Sequence, residues 1–513
     1  VSGYLRRLAT TGAAYTAASI VSKLIAVALL PLYTRYLTLA DYGAAELMFA
    51  AIITGSIVVR LGLIEALLRF YYKDGEDPAR VVASSFAALF WLATVVALVL
   101  LPFAKPISEL LLDEPAADLG RIAIGGLWVS TMFEYLLTLF RLEERARAFF
   151  VTTMLSVLSA IGLTVILVVG AGEGARGLLL GSYVSGAAFV LGLIWVHRKR
   201  LSLRFEIPLL RRLMRFGLPT MPAELSLYLL NFVDRLIIVH LAGLPEAGLY
   251  SLAVKFAQGV NVLVRGFQLA WPPLAYSIRD DDKARRIYAV VVTLFAAGCA
   301  FVVTGMWLLS RWIVRALAAP KFFDSYEAIG LITTAVTLYA LYMVLVVILG
   351  RTGRTEFNFP AAAAALVTNI ALNLALVPSL GIVGAGIALV ASYLVVLALM
   401  YGFTQRLFPV PYEWARLARV VAVSAGLVLL GELLLPTEGF PGLLARTALW
   451  LAYPLALFAT GFFTSGERRW LATLRSPGVL AAQLRSLRPA TAGVDGGVAE
   501  TYEVELFDDD ARF

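Results

Sequence analysis

Five cations stand inside apolar stretches of this chain, Lys23, Arg60, Arg235, Lys255 and Arg265, and all but Arg235 are candidates to face a cavity. A cation at the middle of a bilayer costs about 2.5–3.5 kcal/mol even on lenient insertion scales, a cost more easily met when the charge faces a hydrated cavity. Lys23, Lys255 and Arg265 together, opposed mainly by Glu224 and Glu134, would make such a cavity attractive to an anion such as a pyrophosphate. Arg60 is a further cavity candidate, and Glu65, about one turn along, is its expected partner. This chemistry is binding rather than bond-making. The two histidines, His197 and His240, and the single Cys299 are too few for a zinc site or a histidine-based catalytic centre, and no intrachain disulfide is possible. No catalytic residue, metal or cofactor is expected.

Helical spacing decides which polar residues share a face. Glu224, Tyr228, Asn231 and Arg235 fall at steps of 0, 4, 7 and 11, a single stripe with Asp234 beside it. Ser251, Lys255, Gln258, Asn261, Arg265 and Gln268 fall within an arc of about 140°. Further stripes carry Glu134 with Thr138 and Arg141, and Asn369 with Asn358 and Asn373. Interhelical hydrogen bonding, at about 0.6 kcal/mol a bond, would also account for the asparagines and serines. Glu134, Glu224, Asn231 and Asn369 are expected as polar cavity residues that could serve coupling. Asp234 and Arg235 are expected to form a structural ion pair bracing the outer end of their helix.

The elements that must position these residues are membrane helices. The chain is 60% hydrophobic and 15% charged, with a mean hydropathy of +0.83, outside the soluble range. Runs long enough to cross a bilayer need about 20 residues. Fourteen are read, near 11–34, 43–68, 81–103, 120–140, 149–170, 177–196, 216–240, 246–276, 287–310, 328–350, 357–377, 383–404, 417–435 and 443–464. The fold class is therefore all-α integral membrane protein. With the amino terminus inside, the inner loops and the stretch after the last span hold 29 basic residues against 8 outside, which predicts both termini cytoplasmic. The net charge of +8 suits anionic lipid headgroups and calls for no nucleic acid. The first apolar segment reads as a retained signal-anchor.

The two halves repeat. LTLADYGAAEL (37–47) aligns with AGLPEAGLYSL (242–252) at an offset of 205, matching Asp41 to Glu246 and Gly43 to Gly248. At an offset of 210, Arg141 matches Arg351 and Gly174-Ala175 matches Gly384-Ala385. Six spans per copy give both copies one orientation, so the pseudo-twofold axis should lie along the membrane normal. The expected organisation is an N-terminal lobe over 1–196, a basic cytoplasmic linker over 197–215 and a C-terminal lobe over 216–407. Two extra helices follow over 408–465, then an interfacial cytoplasmic helix over 466–489 and an acidic flexible tail over 490–513.

Three blocks carry a family resemblance: TRYLTLADYGAAEL followed by LGLIEALLRFYY, then FGLPTMPAELSLYLLNFVDRLIIVHLAGLPEAGLYSLAVKFA, then NIALNLALVPSLGIVGAGIALVASYL. With the six-plus-six-plus-two layout, residues 5–465 resemble a bacterial polysaccharide biosynthesis protein of the oligosaccharide-lipid flippase type. That type falls within the multidrug/oligosaccharidyl-lipid/polysaccharide exporter superfamily. Asn231, Asp234, Arg235, Gly248, Tyr250 and Lys255 match the family's middle block, and Gly62 and Arg69 its early one. The resemblance implies two six-helix lobes around a positively charged cavity. It implies a transporter, not an enzyme, that moves a polyprenyl-pyrophosphate-linked oligosaccharide from the inner to the outer leaflet of the bacterial cytoplasmic membrane. Surface polysaccharides, lipopolysaccharide among them, would be the product. The expected partners are the polyprenyl-linked glycan, membrane lipids and a polysaccharide polymerase or glycosyltransferases. Alternatives are a multidrug or peptidoglycan-precursor exporter of the same superfamily, a non-transporting subunit of an exopolysaccharide assembly complex, and a membrane glycosyltransferase.

Overall fold

The computed structural model describes residues 27–72, 75–464 and 467–468, with Val21 and Ile25. Lys23, most of the expected interfacial helix and the acidic tail lie outside the described residues. Among those described there are helices and short turns and no strand. In hydrocarbon a helix satisfies its own backbone, and that requirement selects the class. In chain order the helices are α1 (Leu30–Tyr36), α2 (Leu39–Arg60), α3 (Leu63–Phe70), α4 (Pro78–Leu100), α5 (Ala104–Leu112), α6 (Ala117–Leu142), α7 (Ala146–Val165), α8 (Gly174–His197) and α9 (Ile207–Gly217). They continue as α10 (Met221–Ala242), α11 (Leu244–Ala257), α12 (Asn261–Ser277), α13 (Asp281–Leu317), α14 (Tyr326–Arg351), α15 (Asn358–Leu407), α16 (Trp414–Leu434), α17 (Gly439–Leu451) and α18 (Tyr453–Ala459).

Ten helices among the described residues are long and apolar enough to cross a membrane. The expected number of fourteen is not reached by this measure. One reason is α15, which counts once, although Gly381 (φ 52°, ψ −132°) breaks it shortly after Pro378. One expected span, 357–377, lies before that break and another, 383–404, after it. The eighth expected span is interrupted too, by a 3₁₀ turn over Gln258–Val260 between α11 and α12.

Helix starts follow local chemistry. Thr38 and Asp41 form a capping box, with the Asp41 amide 3.0 Å from Thr38 Oγ1 and the Thr38 amide 3.1 Å from Asp41 Oδ2, which fixes where α2 begins. Asp41 Oδ1 also accepts from the Ala175 amide at 3.3 Å, beside Gly174, whose φ is 52°. The second half repeats the arrangement: Glu246, the counterpart of Asp41, faces Gly381, whose φ is again 52°. An acid at the start of one helix thus meets a left-handed glycine at the start of a later one in each copy.

The residues up to Tyr412 form one compact unit and those from Glu413 a second. The first contains two apolar cores. One is drawn from Val59 through Leu213. The other joins the first half of α2, with parts of α6 and α8, to buried residues from Ile238 onward. α9 belongs to the former. Its Leu209 and Leu213, one turn apart, are buried there. The stretch expected as a basic linker is therefore tied down. Arg80 Nε donates to Glu206 at 2.9 Å, Trp91 Nε1 to the Leu203 carbonyl at 3.0 Å and Arg212 to Glu76 at 3.1 Å. The hydrogen bond from Arg80 holds the Glu206 carboxyl below the usual carboxylate range. In the second unit Arg446 is fully buried and donates to the carbonyls of Gly431 and Pro436 at 3.0 and 3.1 Å.

α2 and α11 cross backbone to backbone. A Cβ on Gly43 would lie 2.3 Å from the Leu244 carbonyl oxygen, and one on Gly248 would lie 2.2 Å from that of Leu39. The sequence alignment pairs these same two glycines. Gly248→Leu is expected to lower the stability of the purified protein by about 1–3 kcal/mol through overpacking, read as a drop in thermal midpoint. Gly259→Ala, where an added Cβ meets nothing within 4 Å, is expected to leave the midpoint in place.

Candidate functional site

Beyond the glycine crossing, α2 and α11 both line a cavity of about 510 Å³. Glu46, Phe49 and Thr54 of α2 line it, with Tyr228, Phe232 and Arg235 of α10, Lys255 of α11, and Tyr339 and Tyr393 of α14 and α15. Among the described residues the lining holds two cations and one carboxylate.

Lys255 forms an ion pair with Glu46 across the α2–α11 seam. The ammonium also lies 5.5 Å from the centroid of the Tyr42 ring, within cation–π range. Tyr42 and Glu46, four residues apart on α2, present their side chains to the same lysine, as helical spacing requires. Glu46 is 8% exposed and Lys255 30%, so the cation keeps the larger opening to the cavity. Arg235 Nε donates to Ser251 Oγ at 3.1 Å, linking α10 to α11.

Beside the expected pairing of Asp234 with Arg235, the structure shows other partners for each. Consecutive residues on a helix point about 100° apart, and these two take different surroundings. The Asp234 carboxylate accepts from Tyr250 Oη at 2.7 Å and from Asn373 Nδ2 at 2.8 Å. Arg235 reaches the cavity wall. Asn369 and Asn373 are fully buried beside Asp234 rather than in the cavity lining. The bracing therefore runs also through Tyr250 and Asn373, joining α10, α11 and α15.

Arg60 departs from its expected place as well. Its partner is Glu224, at 3.1 Å, and not Glu65. Neither Arg60 nor Glu224 lines the cavity. They join α2 to α10 at the end of α2 remote from the glycine crossing, with Arg60 Nε on the Ser56 carbonyl at 3.2 Å. Just beyond, Leu61 and Gly62 adopt left-handed φ of 47° and 69°, and a Cβ on Gly62 would lie 1.9 Å from the Gly217 carbonyl oxygen. Arg69 sits 4.3 Å over the Phe216 ring. Along α2 the lining residues Glu46 to Thr54 thus lie between the glycine crossing at Gly43 and the ion pair at Arg60.

Glu134 is not among the lining residues; it faces Arg141 at 3.7 Å with both side chains well exposed. The side chains of Asn231 and Arg265 fall outside those described, as does Lys23. Glu46 is the residue that sequence reasoning passed over. It stands in LTLADYGAAEL, one turn from Tyr42 in an apolar segment, and that setting was the available signal.

Residues 32–327 match the family described as polysaccharide biosynthesis protein. The chain belongs to that family. Among curated relatives it is 26% identical over 310 residues to the succinoglycan biosynthesis transport protein ExoT of Rhizobium meliloti (strain 1021), a match covering 59% of this chain and 60% of that protein. It is 23% identical over 365 residues to the probable flippase AglR of Haloferax volcanii, covering 67% of this chain and 72% of that one. Among solved structures it is similar to the lipid II flippase MurJ in an inward closed conformation. The TM-score there is 0.71 at 12% identity, over 88% of this chain and 98% of that one. At this identity the likeness establishes the fold.

Arg60 and Glu224 are 12% and 32% exposed, so the pair is worth about 1 kcal/mol, or roughly fivefold in an opening equilibrium. Arg60→Glu alone and Glu224→Arg alone are each expected to raise the rate at which a polar thiol reagent labels Ala50→Cys, introduced with Cys299→Ala. The double exchange should bring that rate back toward the starting value.

Proposed function

We propose that this protein is a transporter, not an enzyme, and moves a polyprenyl-pyrophosphate-linked oligosaccharide from the inner to the outer leaflet of a cytoplasmic membrane by alternating access. The observation that carries the reading is the cavity itself: among the described residues, Lys255 and Arg235 stand on its wall against one carboxylate, Glu46. Ammonium and guanidinium are the groups that bind phosphate oxygens with short, charge-assisted hydrogen bonds. Phe49, Phe232, Tyr339 and Tyr393 add flat apolar surface with polar edges, which suits sugar rings better than a purely charged pocket would. The family to which the chain belongs and the transport and flippase roles in its relatives' names support the same reading.

In this mechanism no covalent bond changes. The head group enters from the side on which basic residues dominate, the cytoplasmic side, when the Arg60–Glu224 pair and the Gly62–Gly217 contact separate. Lys255 and Arg235 replace water around the diphosphate while the prenyl chain stays in lipid. The Gly43–Gly248 crossing then opens and the head group leaves outward. Two lobes, residues 1–196 and 216–407, related by a pseudo-twofold axis along the membrane normal, rock against each other. Enzymes that assemble and polymerise the glycan supply and consume its substrate.

The test is reconstitution of the full chain in liposomes with a labelled polyprenyl-pyrophosphoryl saccharide, read by accessibility to an external enzyme. The double variant Lys255→Gln/Arg235→Gln loses two charge-assisted contacts of about 1.5–3 kcal/mol each, so flipping should fall by roughly 100-fold or more. Flipping at the original rate by a normally inserted double variant would contradict the cavity assignment.

A further inference from the structure

Glu46 raises a difficulty for any anion that binds Lys255. Among the described lining residues it is the one carboxylate, it is nearly buried, and Lys255 is its ion-pair partner. An arriving phosphate must share or take that cation, and a buried carboxylate stripped of its partner is strongly disfavoured. Two anions of like sign in one small cavity also repel.

The place of the pair turns this conflict into motion. Glu46 is on α2 and Lys255 on α11, and Glu46 stands one turn beyond Gly43, where the two helices touch backbone to backbone. The ion pair therefore latches the seam beside the cavity. Resting on the function proposed above, we infer that Glu46 stands in for the substrate's anionic head group while the cavity is empty. The head group displaces Glu46 from Lys255, and loss of the pair releases α2 from α11 at the Gly43–Gly248 end. Loading from the basic side would thereby open the opposite side. Reciprocity follows: whatever weakens the latch must tighten anion binding by the same factor.

The probe is inorganic pyrophosphate with the full chain in lipid nanodiscs. Spin labels go on cysteines introduced at Tyr36, ahead of α2, and Leu241, at the end of α10, both exposed, with Cys299→Ala. In the parent protein pyrophosphate is expected to lengthen the Tyr36–Leu241 distance. Glu46→Gln should show the long distance without pyrophosphate and bind pyrophosphate roughly tenfold more tightly. Equal or weaker binding by Glu46→Gln, with opening still dependent on pyrophosphate, overturns the inference. Lys255→Gln separates the two claims. If it binds pyrophosphate like the parent, the cavity assignment itself fails; if it alone loses binding and Glu46→Gln is unchanged, only the role of Glu46 fails. Should Glu46→Gln not fold, Glu46→Asp keeps the charge but withdraws it by one methylene and is expected to bind severalfold more tightly. Unchanged affinity in that variant is equally contradictory.

Discussion

The contact of α2 with α11 is the constraint on which the rest depends. Two glycines, Gly43 and Gly248, let two helix backbones approach more closely than any Cβ would permit. In lipid, where apolar side chains gain little by leaving the solvent, such close packing is a main source of helix association. One turn farther along, the Glu46–Lys255 pair spans the same seam. The glycine crossing supplies shape and the ion pair supplies charge. The cavity is lined by residues of both helices, Glu46 to Thr54 on α2 and Val254 and Lys255 on α11.

α2 carries every level of this arrangement. Its start is set by the Thr38–Asp41 capping box, its first turns hold Gly43 and Glu46, and its end holds Arg60, paired to Glu224 of α10. A single helix of 22 residues thus touches the second half of the chain at three heights. In the proposed mechanism, rotation of one half against the other exchanges these contacts. The break at Leu61 and Gly62 ends the helix and lets the chain meet Gly217.

Much of this was legible in the sequence, and what was not has a physical reason. Apolar runs of membrane length announce helices because hydrocarbon leaves the backbone no other partner. The repeat was visible because Gly43 and Gly248 are fixed by a contact that no larger residue can make. Lys255 stood out because a cation in an apolar run is rare. Partners were harder to read. Helical spacing groups residues on one helix, and Glu46 lies 209 residues from Lys255 on another. Arg60 was assigned to Glu65 for its nearness in sequence, yet the left-handed turn at Leu61 and Gly62 changes the chain direction between them. Asp234 and Arg235 were joined for the same reason, and each takes further partners on other helices.

The central claim, that the cavity holds a diphosphate head group between Lys255 and Arg235, is tested most directly by imaging it. The measurement is a cryo-electron microscopy reconstruction of the full chain in nanodiscs with a polyprenyl-pyrophosphoryl saccharide. The account predicts phosphate density within hydrogen-bond distance of both side chains, with Glu46 turned away from Lys255. Phosphate density elsewhere, with the Glu46–Lys255 pair intact, would contradict it.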